Sequence, residues 1–168
     1  MIDENWERRS AQAWARIDDL GPEEFRALID TLAAELPAGA AVADFERACA
    51  WDSTGHSDKA VPLYERALAT GLTGIRRRRA VIQLSSSLRN IGQVERAVEL
   101  LTAEMAAGSD ELDDAVRAVL ALALADAGRA REGVSVAVGA LAKHLPRYQR
   151  SMANYARLLV EDRAAEAR

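Results

Sequence analysis

Apolar residues recur every three to four positions along most of the chain, and short breaks separate these segments. Such spacing places apolar side chains on one face of an α-helix. The segment after Gly21 is typical, because Pro22 suits a first helical turn, two glutamates follow, and Phe25 begins an apolar stripe. The pattern predicts an all-α protein of about nine helices. Their expected ranges are 3–20, 22–36, 40–54, 57–71, 74–91, 93–108, 110–128, 130–144 and 147–165.

Three of the breaks share a pattern in which a glycine is followed, five positions later, by a small residue. Successive glycines of this set are 37 and 36 residues apart. Glycine readily takes the left-handed conformation that ends a helix, and a small residue lets the next helix cross closely. The pattern therefore predicts an internal repeat of helix-turn-helix units. The pairs are Gly55 with Ala60, Gly92 with Ala97, and Gly128 with Gly133.

The first of these units carries the most complete motif. It reads Ala48-x-x-Trp51-x-x-x-Gly55-x-x-x-x-Ala60-x-x-x-Tyr64-x-x-Ala67. This order of small and large residues resembles the tetratricopeptide repeat (TPR) family, whose motif of about 34 residues forms two helices. The chain looks most like short bacterial members of that family, and the resemblance covers residues 40–145.

The units depart from the family motif in several places. The Leu-Gly pair of the first helix is replaced by Arg47-Ala48, Leu84-Ser85 and Leu120-Ala121. In the second unit Glu104 stands where the motif closes with alanine, and the units are two or three residues longer than the motif.

The resemblance implies a right-handed superhelix of antiparallel helical hairpins, with a concave groove lined mainly by first helices. A single domain over 1–168 would hold a helical pair at 1–39, repeats at 40–72, 73–109 and 110–145, and a capping helix at 146–168. The alternative for the helical pair is a degenerate first repeat. In the capping helix we expect Tyr148, Met152, Tyr155 and Leu159 to form the packing stripe.

The same resemblance implies a noncatalytic scaffold that binds a protein segment, or its own copy, through the groove. A peptide with an acidic group near an apolar anchor would suit it, since Arg79 or Arg89 could donate charge-assisted hydrogen bonds. The alternative is that the C-terminal helix or a second copy covers Leu122 and its neighbours. The groove residues in this register are Phe45, Asp52, Arg79, Ile82, Ser86, Arg89, Asn90, Leu122 and Asp126.

Composition supports the helical interpretation and narrows the function. Alanine fills roughly a fifth of the chain and aromatic residues 5%, which favours helices over sheets. The net charge of −4 argues against a general nucleic-acid binder. The acidic start predicts no secretory signal, and the longest apolar run, 118–125, is far shorter than the roughly 20 residues of a membrane span. With a single cysteine, the expected location is the cytoplasm.

Residues that could carry chemistry are few. His56 lies in a predicted turn and His144 at a helix end, while Cys49 has no nearby histidine within its own helix and suits a buried position. Paired carboxylates fall mostly in first helical turns, where they stabilise the helix dipole. No nucleotide-binding or metal-ligand motif is present. We therefore expect no cofactor, no metal site and no enzymatic activity.

The strongest charge feature is the run Arg76-Arg77-Arg78-Arg79. Four successive helical residues point in different directions, so they do not predict one compact phosphate site. Four cations near a helix start also oppose the helix dipole, which suggests neighbouring acids or an anionic partner. A regulatory or nucleic-acid-associated adaptor that uses this run is the alternative function, although stacking aromatics are missing.

Overall fold

The computed structural model describes the backbone of residues 2–166 and the side chains of residues 2–161. This range contains nine helices and no strand, which confirms the predicted all-α fold. The helices are α1 (Glu4–Trp14), α2 (Pro22–Ala34), α3 (Ala41–Ser53), α4 (Ser57–Ala69), α5 (Gly74–Asn90), α6 (Val94–Ala107), α7 (Asp113–Asp126), α8 (Ala130–Ala142) and α9 (Gln149–Glu166).

Two helix ends differ most from the prediction. Helix α1 ends at Trp14, and turns replace the expected helix up to residue 19; Asp18 and Asp19 would have lain at the negative end of its dipole. Helix α7 begins at Asp113, because the Asp110 carboxylate accepts a hydrogen bond from the Leu112 N–H at 2.8 Å and forms a turn instead.

The repeated turns have the predicted geometry. The backbone angle φ is 84° at Gly55, 82° at Gly92 and 74° at Gly128. The amide that follows each glycine donates to a carbonyl five residues earlier, at 2.8–2.9 Å. This pattern is the Schellman motif, in which a left-handed residue satisfies the last carbonyls of a helix.

The chain divides into two compact units, and the boundary lies inside α5. The first unit is 1–87, where consecutive helices α1 to α4 pack together. Phe25 and Ile29 of α2 are almost fully buried, and the Trp14 ring meets Phe25 edge-on at 5.1 Å between centroids. The division into repeats remains a prediction.

The second unit is 88–168, in which α6, α7, α8 and α9 pack in sequence. Its described core contains Leu101, Val116 and Leu120, each at most 2% exposed. Helices α7 and α8 cross closely, because a Cβ added to Gly133 would lie 2.6 Å from the Ala121 carbonyl oxygen. Glycine is therefore required at this crossing.

The predicted packing stripe of the C-terminal helix is wrong for its two tyrosines. Tyr148 is 73% and Tyr155 59% exposed, whereas Ala156 is buried. Tyr148 precedes the helix, with φ at 67°. Helix α9 approaches α8 through small residues, since the Ser135 hydroxyl donates to the Ala156 carbonyl at 2.6 Å. This contact turns Tyr155 towards solvent.

Candidate partner-binding surface

Five of the predicted groove residues lie in the first unit, and they differ in accessibility. Phe45 is fully buried and Ile82 nearly so. Asp52 and Ser86 are partly buried, whereas Arg79 is exposed. Two apolar residues of the predicted groove therefore lie in the core. The predicted residues that remain accessible in the first unit are polar or charged.

Arg79 is the most accessible cation of the predicted set. Its guanidinium carbon lies 5.2 Å from the centroid of the Phe45 ring, a contact that holds the cation by its attraction to the aromatic face. No carboxylate among the residues with described side chains pairs with it. The Phe45 ring thus positions a guanidinium that can bind an anionic group.

The rest of the arginine run is not one anionic-ligand surface. Arg76 donates to Glu7 at 2.5 and 2.9 Å and to Glu46 at 3.4 Å. Arg78 is only 6% exposed. The carboxylates of Glu7 and Glu46 therefore offset the charge of Arg76 near the helix start. Of the two explanations expected from the sequence, neighbouring acids or an anionic partner, the first applies to this residue.

Asp52 connects three helices of the first unit. Its Oδ1 atom accepts hydrogen bonds from the Ser87 hydroxyl of α5 at 2.7 Å and from the Ser57 hydroxyl of α4 at 3.4 Å. Burial raises the pKa of this carboxyl, and the two serines partly offset that rise. These bonds direct the carboxylate towards the protein, so it contributes mainly to helix packing.

Cys49 is a buried thiol beside the hydroxyl of Tyr64. Only 1% of the cysteine is exposed, and its sulfur donates to the Gln83 side-chain oxygen at 3.3 Å. Burial raises the pKa of Cys49 to about 12 and also raises the pKa of Tyr64. A thiol in this state is a poor nucleophile, which fits the predicted packing role.

In the second unit the structure brings two predicted residues together. The Arg89 Nε donates to the Asp126 carboxylate in a partly exposed ion pair. Leu122 is 51% exposed, and Asn90 is exposed as well. An acidic group that binds Arg89 would have to compete with Asp126, so Leu122 offers the more available contact here.

The two histidines have ordinary surroundings. The ring of His56 meets Trp51 edge-on at 5.2 Å. The His144 Nε2 lies 2.8 Å from Asp114, whose pKa is lowered to about 2 by Lys143 first and His144 second. Within the described side chains no group of three metal-ligating residues occurs. None of the described helices is both long and apolar enough to cross a membrane.

Sequence reasoning missed a cleft of about 780 Å³ in the first unit, where α1, the α2–α3 connection and the start of α5 meet. Arg76 pairs with Glu7 on one side, and Arg9 donates to Glu35 on the other. The hydrogen bond from Arg76 lowers the pKa of Glu7. The arginine run signalled that acids would be near, but not which ones.

A second cleft, of about 610 Å³, lies between the end of α8 and the start of α9. Its lining is almost wholly apolar, and Leu141, Tyr148 and Tyr155 are each more than half exposed. The apolar spacing of α9 was visible in the sequence. The direction in which α9 faces depends on its contact with small residues of α8, and the spacing of apolar residues does not predict that contact.

Comparisons with known proteins agree with this architecture. The family model TPR_5, described as "Tetratrico peptide repeat", matches residues 41–159. The chain belongs to the tetratricopeptide repeat family. No curated protein sequence matches it.

Solved structures with a similar fold include the TPR-like repeats of a putative kinesin light chain from Podosopora anserina. That crystal structure has a TM-score of 0.70 and 22% identity, over 97% of this chain and 95% of the other. The crystal structure of a glutamine-to-methionine variant of the same repeats gives a TM-score of 0.70 and 20% identity, over 98% and 96%. At this level of identity the likeness shows the fold.

The small positions of the TPR motif are buried where the resemblance is closest. Ala48, Ala60 and Ala67 are fully buried. In the second repeat, Glu104 replaces the closing alanine and is 2% exposed, so a larger side chain is accommodated there. TPR repeats generally form scaffolds for protein–protein interaction and are typically noncatalytic.

Proposed function

We propose that this TPR protein is a noncatalytic interaction module that binds a protein segment along the groove side of its first helices. The observation that carries the proposal is the exposed Arg79 guanidinium, held on the Phe45 ring without a described carboxylate partner. A charge-assisted hydrogen bond to such a group is stronger than a neutral one. The first unit would therefore select an acidic group.

The second unit supports an apolar contact. Leu122 is half exposed on the first helix of its hairpin, and Asn90 is accessible on α5. A peptide side chain that covers Leu122 would remove apolar surface from water. The second unit would thus select an apolar residue, and the first unit an acidic one.

Binders selected from a random peptide library on the immobilised chain would test this function. We expect selected peptides to be enriched in acidic and apolar residues. Arg79→Ala should weaken their affinity by about tenfold or more, since a charged hydrogen bond contributes about 1.5–3 kcal/mol. Leu122→Asp should weaken it as well. Fluorescence anisotropy with labelled peptide measures both effects.

Arg8→Ala is the matched control, because Arg8 is an exposed arginine on α1 outside the predicted groove. It should leave the affinity unchanged. Equal binding by the wild-type chain and Arg79→Ala, with both proteins folded by circular dichroism, would reject the groove assignment.

The adaptor function based on the arginine run is not proposed. Arg76 already pairs with Glu7 and Glu46, and Arg78 is buried. The run therefore lacks the accessible row of cations that phosphate binding requires.

A further inference from the structure

In the first unit, the contact between α3 and α5 supports two polar side chains that lie one turn apart on α5. The Arg79 guanidinium rests on the Phe45 ring, 5.2 Å from its centroid. One turn further along both helices, the Cys49 thiol donates to the side-chain oxygen of Gln83 at 3.3 Å. Residues four apart lie on the same face of a helix. A buried residue of α3 therefore holds each of these two polar residues of α5.

The hydrogen bond from Cys49 fixes which end of the Gln83 amide faces the protein. Cys49 is 1% exposed, and burial raises its pKa to about 12, so the thiol keeps its proton and acts as the donor. Its acceptor is the amide oxygen, because the amide nitrogen carries two N–H donors and accepts nothing. Gln83 itself is partly exposed. Its nitrogen points away from the thiol, donates to no group within residues 2–161 and is not enclosed by protein.

The accessible polar groups of this row are donors. No carboxylate among the residues with described side chains pairs with Arg79, and the Gln83 amide offers its nitrogen. The carboxylate of Asp52, which lies on α3, accepts from Ser57 and Ser87 and is directed towards the protein. A ligand that lies along this row must therefore bring hydrogen-bond acceptors to both Arg79 and Gln83.

The spacing of the two donors suits the main chain of an extended segment. Four residues of α5 rise about 6 Å, and every second residue of an extended chain recurs after about 6.6 Å. The carbonyl groups of an extended chain are free to accept hydrogen bonds, whereas a helix uses all but its last four internally. A helical ligand that covered Gln83 would leave the amide nitrogen buried without a partner, which lowers affinity.

Building on the proposed peptide binding, on which this inference rests, we propose that Gln83 determines the conformation of the bound segment. The Gln83 amide donates to a main-chain carbonyl of the segment, close to the acidic residue that pairs with Arg79. The segment is then bound in an extended conformation. Cys49 is a positioning residue, because its thiol keeps the amide nitrogen of Gln83 directed towards the segment.

Backbone ester substitution in a bound peptide tests this hydrogen bond. The probe is the tightest acidic peptide selected on the immobilised chain, remade with one amide at a time replaced by an ester, whose carbonyl is a weaker acceptor. We expect Gln83→Ala to weaken the unmodified peptide about fivefold, the effect of one neutral hydrogen bond. One ester should weaken binding to the wild-type chain similarly and have no effect on binding to Gln83→Ala, because donor and acceptor are coupled.

Gln12→Ala is the matched control, since Gln12 is an exposed glutamine on α1 outside the predicted groove. It should leave the affinity unchanged. Circular dichroism checks that both variants are folded. Equal affinity of the wild-type chain and Gln83→Ala for the peptide, or the absence of any ester whose effect depends on Gln83, would overturn the assignment.

Variants of Cys49 test its positioning role. Cys49→Ala should weaken the peptide about twofold to threefold, but should have no further effect when combined with Gln83→Ala. Cys49→Ser keeps a donor at this position and should restore the affinity. A loss that persists in the Gln83→Ala background, or that serine does not restore, would show that the thiol does not act through Gln83.

The backbone conformation of the bound peptide is measured independently by its Cα chemical shifts. In a carbon-13-labelled peptide, the residues that flank the acidic group should show the shifts of an extended chain. Helical shifts at these residues would contradict the role of Gln83.

Failure of the proposed function and failure of the Gln83 assignment give different results. Weaker binding with Arg79→Ala but unchanged binding with Gln83→Ala would reject the role of Gln83 alone. Unchanged binding with both variants, or the absence of any selected peptide, would reject the two together.

Discussion

Gly133 and Gly139 both lie in α8, yet their surroundings differ. A Cβ at Gly133 would lie 2.6 Å from a backbone oxygen of Ala121, whereas one at Gly139 would have Ala156 Cβ as its nearest neighbour, at 3.9 Å. The first distance requires the helices to separate, and the second is an ordinary contact. The absence of a side chain is therefore essential at Gly133 and not required at Gly139.

Gly133→Ala should lower the free energy of unfolding by about 1–3 kcal/mol, the usual cost of overpacking. Gly139→Ala should raise it by up to about 1 kcal/mol, because alanine favours helix over glycine. Urea denaturation of both variants measures the difference. Equal effects of the two substitutions would contradict the close crossing of α7 and α8.

Cys49 should resist thiol reagents in the native protein. Burial excludes the reagent and the raised pKa, about 12, leaves almost no thiolate at neutral pH. We expect labelling by a colorimetric disulfide reagent only on unfolding, and rapid labelling in denaturant. Complete labelling within seconds under native conditions would show that the thiol is accessible.

Residue chemistry made the turn glycines and the small crossing positions predictable, since few other residues can serve there. The burial of Phe45 and Arg78 was not predictable. Both depend on which way a helix faces its neighbours, and a register inferred from the motif does not fix that rotation for each repeat.

Helix α1 contacts the other helices of the first unit through polar side chains, and these contacts differ in how deeply they are buried. Arg76 pairs with Glu7 of α1 and with Glu46, whose side chain is 6% exposed. The Trp14 Nε1 of α1 also donates to Glu46 at 2.7 Å. Arg9 and Glu35, by contrast, are each about 40% exposed. The buried network should contribute more to stability than the exposed pair.

Arg76→Ala should destabilise the protein by about 1–3 kcal/mol, because it leaves the Glu46 carboxylate buried without its cation. Arg9→Ala, the control on an exposed pair, should cost at most about 1 kcal/mol. Thermal unfolding followed by circular dichroism compares them. A larger loss from the Arg9 change would contradict the role of the buried network.

Helix number and most helix bounds followed from periodicity, because an amphipathic stripe and its terminating residues are local signals. The end of α1 and the face of α9 did not follow. A turn stabilised by i→i−3 hydrogen bonds replaces the last part of α1. In α9, contact with α8 through Ala156 outweighs the tyrosine stripe, which is a property of tertiary packing.

The described part of the molecule exposes two kinds of surface. Arg79 in the first unit is an accessible cation and Leu122 in the second an accessible apolar side chain, and the proposed peptide binding depends on both. The cleft between the end of α8 and the start of α9, lined by Leu141, Tyr148 and Tyr155, is almost wholly apolar.

Chemical-shift mapping of a selected acidic-apolar peptide on the isotope-labelled chain tests whether a protein segment binds along the first helices. We expect the largest amide shifts around Arg79 and Ser86 in the first unit and around Asn90 and Leu122 in the second. Shifts confined to α8 and α9, or none at saturating peptide, would contradict binding along the first helices.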